Sequence, residues 1–229
     1  MVPDIYEFDE IKEKLGFESA KEIKDLDIVG LGTGSTTNHF IKALAKRVKE
    51  ENLNITCVST SIKTEELAKS LDLNIKNIDE VDHIDITVNS ADYITVSYII
   101  KGSRGTLLQE KFVESITHRF IIIVDYTKQL TKERVIIPIE ILKISSKHTL
   151  NKLIKKGYQA EFKMENEETF VTDLGNYIIN LSVKTAIKDP KTLHNKLCGL
   201  PGVIETGIFI NLFTEVWIAN KNDLQKQIV

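Results

Sequence analysis

The 229-residue chain carries 30 basic and 33 acidic residues, a net charge of −3, with 42% hydrophobic and 28% charged positions. That mixture fits a soluble globular fold of one large domain, or a main domain with a smaller one attached. Near-balanced charge excludes a global pull toward nucleic acid. No apolar run approaches the roughly 20 residues that span a bilayer, and the charged stretch MVPDIYEFDEIKEK lacks the apolar centre of a signal peptide.

In chain order, DIVGL (27–31) reads as a buried strand, followed by GTGST and a helix over NHFIKALAKRVKE, with Phe40, Leu44 and Val48 at helical spacing. ITCVST (55–60) reads as a second strand, TEELAKSL as a second helix and IDITVN (84–89) as a third strand. Leu108, Phe112 and Ile116 mark another helical stripe, which puts Glu110 on the face away from it, and FIIIVD (120–125) follows as a strand. The alternation predicts an α/β fold, a mostly parallel sheet with helices on both faces and ligands at the carboxyl ends of its strands. After about residue 130 the pattern changes. VIIPIEIL, YQAEFKM and FVTDLGNYIINL read as strands, with helices near 148–157 and 189–198, a smaller α+β unit of more antiparallel character. GIFINLFTEVWIAN is a strong apolar β signal that could rejoin the main sheet, and the final NKNDLQKQIV reads as a short helix or a loose end. The expected division is 1–130 with 205–229 as the main domain and 131–204 as the smaller one.

Cys57 and Cys198 are isolated thiols with no Cys-x-x-Cys pair, which fits a reducing compartment, the cytoplasm. The five histidines show no metal-ligand spacing, so no metal site is expected.

Three segments could carry chemistry. GLGTGSTT (30–37) joins a strand to a helix, so its backbone amides, the hydroxyls of Thr33, Ser35 and Thr36 and the helix N-terminus could hold a phosphate. A capped strand–helix turn explains it equally well, and it is neither a dinucleotide fingerprint nor a Walker loop. VNSADYI (88–94) puts Asp92 in a small-residue turn at a strand end, where it could orient a hydroxyl, move protons or simply form the turn. KGSRGTLLQEK (101–111) offers Lys101, Arg104 and Glu110; spacing alone makes them solvated charges, although all three segments fall where an open α/β sheet builds its site.

The ordered series GLGTGST, VST, NSAD, KGSRG…EK, VD-x-x-K, VTDLGNY and LPGVIETGIF resembles the type A ribose-5-phosphate isomerases, from about Lys12 to Asn220. The resemblance implies a Rossmann-like domain with a smaller α+β domain inserted near its C-terminal end, no cofactor, no catalytic metal and a homodimer or homotetramer. It also implies interconversion of D-ribose 5-phosphate and D-ribulose 5-phosphate, a small-molecule sugar phosphate being the only partner besides the chain itself. Thr33, Gly34, Ser35 and Thr36 match the family's substrate loop. Asn89, Ser90, Ala91 and Asp92 match its Asp-Gly-Ala-Asp signature. Lys101 and Gly102, with Ser103 and Arg104, match its glycine-rich loop, Glu110 matches the catalytic glutamate, and Lys128 and Lys12 match substrate-binding lysines. Glu110, Lys101 and Asp92 are the implied catalytic residues.

The sequence departs from the family pattern at Asn89 and Tyr93, at Ser103 and Arg104, and at Leu174 and Thr206. An asparagine cannot carry the proton an aspartate can. These changes leave three readings: a working isomerase, a paralogue that binds a sugar phosphate with little activity, or an isomerase for another sugar phosphate. A nucleotide-binding module is a more distant fourth.

Overall fold

In the computed structural model, which describes residues 5–129, 133–184 and 187–228, the helices are α1 (Ile5–Ala20), α2 (Ser35–Glu51), α3 (Ile62–Ser70), α4 (Leu107–Ser115), α5 (Ser146–Lys155) and α6 (Pro190–Cys198). The strands are β1 (Ile28–Leu31), β2 (Thr56–Ser59), β3 (Ile84–Asn89), β4 (Tyr93–Ile94), β5 (Ile99–Ile100), β6 (Thr117–Asp125), β7 (Arg134–Ile141), β8 (Gln159–Phe162), β9 (Met164–Glu165), β10 (Glu168–Thr169), β11 (Tyr177–Lys184), β12 (Val203–Thr206), β13 (Ile208–Phe209), β14 (Glu215–Ala219) and β15 (Leu224–Ile228). They divide into two units, one formed by the chain up to Ala91, Gln109–Lys128 and the segment from Leu212 on, the other by Asp92–Leu108 and Gln129–Asn211. The second unit thus holds 92–108 and 205–211 besides the segment expected as a smaller domain; the expected junction at 130–131 lies outside the described residues.

The first unit is built on a six-stranded sheet in the order β15-β14-β6-β3-β1-β2, parallel except for β15. Phe120 through Val124 of β6 are buried without a break, the mark of a strand covered on both faces rather than one. Phe40, Ile41 and Leu44 of α2 and Ile11 and Leu15 of α1 cover the face that carries Ile121 and Ile123. The α1 helix was not anticipated, because charges dilute its apolar positions. Ser61 caps α3 by accepting from the Thr64 amide, and α2 ends at Asn52 in the left-handed conformation that an asparagine tolerates.

The expected return of GIFINLFTEVWIAN to the main sheet is made by β14, parallel to β6, while β13 pairs with β5. One C-terminal expectation needs correction. The tail is neither a helix nor loose. Asn220 Oδ1 accepts the amides of Asn222 (2.9 Å) and Asp223 (2.8 Å), turning the chain so that β15 pairs antiparallel with β14. Its residues are polar because it is an edge strand largely open to water.

An ion-pair network ties this edge down. Arg119 Nε meets Glu215 Oε1 at 2.6 Å and its Nη1 meets Glu22 Oε2 at 2.9 Å, while Lys226 Nζ reaches Glu22 Oε1 at 3.2 Å. The Arg119 hydrogen bond holds the Glu215 carboxyl below the ordinary glutamate value. For Glu22, burial pushes upward but the bonds from Arg119 and Lys226 outweigh it, so its value is also lowered. Depressed folded values mean that the unfolded chain binds more protons in acid. The network's contribution is fully present above the ordinary glutamate pKa and is lost as pH falls through the folded values. Melting midpoints measured from about pH 6 down to about pH 3 are expected to fall more steeply for the native chain than for Arg119→Gln; equal slopes would refute this.

In the second unit β12-β7-β11-β8 form an antiparallel sheet and β13-β5-β4 a small one. Ile137, Ile139 and Ile141 of β7 pack with Ile179, Leu181, Leu153 and Leu197. The VTDLGNY segment forms the turn into β11: the Thr172 amide donates to Asn176 O, and Gly175 sits at φ 80°. Thr172 Oγ1 (3.1 Å) and Asn176 Nδ2 (2.9 Å) both donate to the Glu140 carboxylate, whose pKa burial raises. Among the described residues, no helix is long and apolar enough to cross a membrane.

Candidate active site

Because β1, β2, β3 and β6 run parallel, the residues that follow them share one edge of the first unit's sheet. The loop after β1 carries Thr33, then Gly34 at the N-cap of α2, exposed Ser35 and buried Thr36. Thr33 Oγ1 lies 2.8 Å from Thr60 Oγ1, 2.7 Å from Ser61 Oγ and 3.0 Å from Thr64 Oγ1. This hydroxyl, expected as a phosphate donor, braces its loop against the β2–α3 turn. Ser35, in the first turn of α2, is the loop hydroxyl turned to solvent.

At the end of β3 Asn89 is fully buried and uses both ends of its amide. Its Oδ1 accepts the amides of Thr33 (3.2 Å) and Ser90 (2.8 Å). Its Nδ2 donates to Glu110 Oε1 (3.2 Å) and Glu114 Oε1 (3.0 Å). Ser90 and buried Ala91 continue the turn. An ionised aspartate at 89 would add a third carboxylate and offer neither glutamate a donor; the asparagine bridges two acids one helical turn apart, which otherwise repel.

Glu110 does face away from Phe112, but its side of α4 is the buried one, which overturns its reading as a solvated charge. The buried face of α4 is Leu107, Glu110, Val113 and Glu114, whereas Phe112 of the expected stripe is 53% exposed. Glu110 is therefore not a surface charge. Glu114 was missed, though the Glu-x-x-x-Glu spacing puts both acids on one face and was there to be read.

Lys128 lies in the single turn Tyr126–Lys128 that follows β6, partly exposed. Phe8 of α1 stacks on Tyr126 at 6.3 Å between ring centroids, and Lys12, one turn further along α1, shares the face of Phe8. Both lysines thus belong to the same edge of the first unit.

The second unit holds the remaining candidates. Asp92 receives the Ser103 amide on Oδ2 (2.9 Å) and the Ser103 hydroxyl on Oδ1. Lys163 Nζ donates to Ser103 O at 2.8 Å and lies 3.7 Å from the centroid of the Phe170 ring. A Cβ at Gly105 would come within 2.2 Å of that ring, so the loop from Gly102 is packed closely against it. Lys101 is 1% exposed, with its amide bonded to Gly207 O and its ammonium 5.6 Å from the Phe209 ring. Arg104 points to solvent. Ser103, where the family pattern has glycine, gives Asp92 a hydroxyl donor that a glycine lacks.

Two clusters among the described residues could hold a metal, His83 with Asp85 and His118, and His194 with Cys198 and Glu205. Neither includes a candidate catalytic residue. The expectation of no metal spacing overlooked His194 and Cys198, one helical turn apart.

The family model for ribose 5-phosphate isomerase A (phosphoriboisomerase A) matches residues 56–223. A ribose-5-phosphate isomerase A from Streptococcus agalactiae serotype III (strain NEM316) is 40% identical over 218 residues, covering 94% of this chain and 97% of the relative. The structure of ribose 5-phosphate isomerase A from Methanocaldococcus jannaschii superposes with a TM-score of 0.90 at 30% identity, covering 96% of this chain and 99% of the other. A D-ribose-5-phosphate isomerase in complex with phospho-erythronic acid gives 0.88 at 32% identity, covering 96% and 98%. With a family model that matches most of its length and relatives that align almost end to end, this chain belongs to the ribose 5-phosphate isomerase A family.

Proposed function

We propose that the chain interconverts D-ribose 5-phosphate and D-ribulose 5-phosphate through a cis-enediolate, with Glu110 as the carbon base. The observation that carries this is the buried Glu110–Asn89–Glu114 cluster at the carboxyl edge of a parallel sheet, in a member of this family. Moving the carbonyl from C1 to C2 takes a proton off C2 and returns it to C1, while the O2 hydroxyl proton passes to O1. A carboxylate within reach of both carbons does the first. Asp92, fixed by the amide and hydroxyl of Ser103, suits the hydroxyl proton transfer and ring opening. Lys101 offsets the negative charge that grows on the carbonyl oxygen. The amides at the start of α2, with Ser35, Lys12 and Lys128, suit the phosphate, whose binding positions the reacting carbons. That a related isomerase takes up phospho-erythronic acid, a phosphorylated sugar acid, supports this substrate class.

Asn89 favours neither the inactive nor the altered-substrate reading, because its amide has a place in the cluster that an aspartate would not fill. Family likeness supports a homodimer or homotetramer, and two reduced cysteines suit the cytoplasm. The test is turnover by the purified chain over a panel of pentose and hexose phosphates. Ribulose 5-phosphate formed from ribose 5-phosphate, faster than conversion of any other sugar phosphate, is the expected result. No turnover, or a preference for another sugar phosphate, would overturn it.

A further inference from the structure

We propose that His194, Cys198 and Glu205, none of them assigned to the isomerisation, form a site for one thiophilic divalent cation of the zinc class. The first two stand one turn apart on α6, whose start is fixed by Asp189 accepting the Thr192 amide and by Pro190 in the first turn. Glu205 comes from β12, brought beside α6 by the short Gly199–Gly202 connection.

The ligand atoms form a nearly equilateral triangle. His194 Nδ1 lies 3.7 Å from Cys198 Sγ and 3.6 Å from Glu205 Oε1, and Sγ lies 3.8 Å from Oε1. The centre of such a triangle is about 2.1 Å from each corner, which matches Zn–N and Zn–O bonds of about 2.0–2.2 Å. Lifting the ion a few tenths of an ångström out of the plane and away from sulfur gives the Zn–S length of about 2.3 Å and leaves a fourth, outward position for water.

Charge and softness agree with this geometry. One thiolate and one carboxylate balance a divalent ion, the imidazole binds neutral, and the thiol proton passes to solvent on binding. A thiolate with an imidazole selects zinc-like ions over magnesium or calcium. The side chains of His194 and Glu205 are 25% and 21% exposed, enough for an ion to enter. The Thr206 amide steadies Glu205 by donating to Oε1 at 2.6 Å, while the Thr206 hydroxyl, 2.9 Å from His194 Nδ1, is a hydrogen-bond partner that the ion displaces when it takes that nitrogen's lone pair. Sγ is almost equidistant from the two ring nitrogens, 3.7 and 3.9 Å. The ring therefore turns about its soft second torsion to aim the Nδ1 lone pair at the ion.

The rest of the chain makes the test specific. Cys57 is fully buried, with its thiol pushed up to about 12 by burial, and the His83–Asp85–His118 cluster has no sulfur. The reduced full chain is titrated with cobalt(II). The expected result is a thiolate-to-cobalt charge-transfer band and intense four-coordinate visible bands, saturating at one equivalent and bleached by zinc(II). Cys198→Ser should abolish the charge-transfer band and Cys57→Ser leave it unchanged. His194→Gln and Glu205→Gln should each weaken zinc more than tenfold in chelator competition, with metal-free circular dichroism unchanged. Absence of the band, its survival in Cys198→Ser, or native zinc affinity in both Gln variants would overturn the proposal. The readout is spectroscopic, so its failure leaves the isomerase reading untouched.

Discussion

Glu110→Gln is expected to lower kcat by roughly 10³-fold, the usual weight of a positioned base, while the melting midpoint and KM stay near their native values. Glutamine has the length of glutamate, and its carbonyl still accepts the Asn89 Nδ2 hydrogen bond that Glu110 accepts at 3.2 Å. The cluster therefore keeps its shape, and the phosphate contacts proposed for the start of α2 are not touched. Only the ability to take a proton from carbon is lost, an interaction made in the transition state and not in the ground state, so the loss falls on kcat. Glu114→Gln is the control. It changes the same bridge through the 3.0 Å bond but leaves the proposed base in place, and a clearly smaller loss is expected. Steady-state kinetics on the three proteins, with circular dichroism to confirm folding, decide the matter. Equal losses in both variants would mean that the two carboxylates act as one unit, and full activity in Glu110→Gln would remove it as the base.

The parallel core was legible because interior strands of such a sheet are covered on both faces and read as unbroken β-branched runs; Phe120–Val124 is that case. The helix carrying the proposed base was not read correctly, for an instructive reason. A stripe drawn through Leu108, Phe112 and Ile116 follows the right period with the wrong phase, since it assumes that only apolar residues face inward. The inner face carries Glu110 and Glu114, and their burial depends on an amide from Asn89, about twenty residues earlier in another element. A local pattern holds no record of such a partner. The two-residue strands β4 and β5 escaped because two residues cannot show a period. The edge strand β15 escaped because its polarity is set by the water beside it.

The departures from the family pattern divide in the same way. Asn89 and Ser103 have physical roles, one bridging two carboxylates and the other adding a hydroxyl to Asp92. Tyr93 packs against the apolar core of the second unit, and Thr206 places its hydroxyl beside His194. Nothing in the structure explains Arg104 or the half-exposed Leu174. A reading of sequence alone sees six unlike residues of equal standing; their partners separate the compensated ones from the rest.

Gly32→Ala is expected to be strongly destabilising and to disturb the site. Gly32 directly follows β1 and stays paired to β3, its amide bonded to Val88 O at 3.0 Å. An added Cβ would lie 2.2 Å from Asn89 Cγ and Oδ1 and 2.6 Å from Asn89 Cα. The side-chain atoms could yield by giving up the bridge to Glu110 and Glu114, but the Cα cannot move without opening the β1–β3 register. The cost therefore belongs at the upper end of the range for overpacking, about 3 kcal/mol, which for a chain of this size lowers the melting midpoint by roughly 6–12 °C. Activity should fall beyond the loss of folded protein, because a displaced Asn89 no longer holds the proposed base. The double variant Gly32→Ala with Asn89→Gly separates the two contacts. Removing the Asn89 side chain relieves the 2.2 Å overlaps but not the one at Cα, so calorimetry should recover only part of the midpoint. Complete recovery would show that the backbone approach is not what requires glycine, and an unchanged midpoint in Gly32→Ala alone would show that β1 and β3 do not meet this closely.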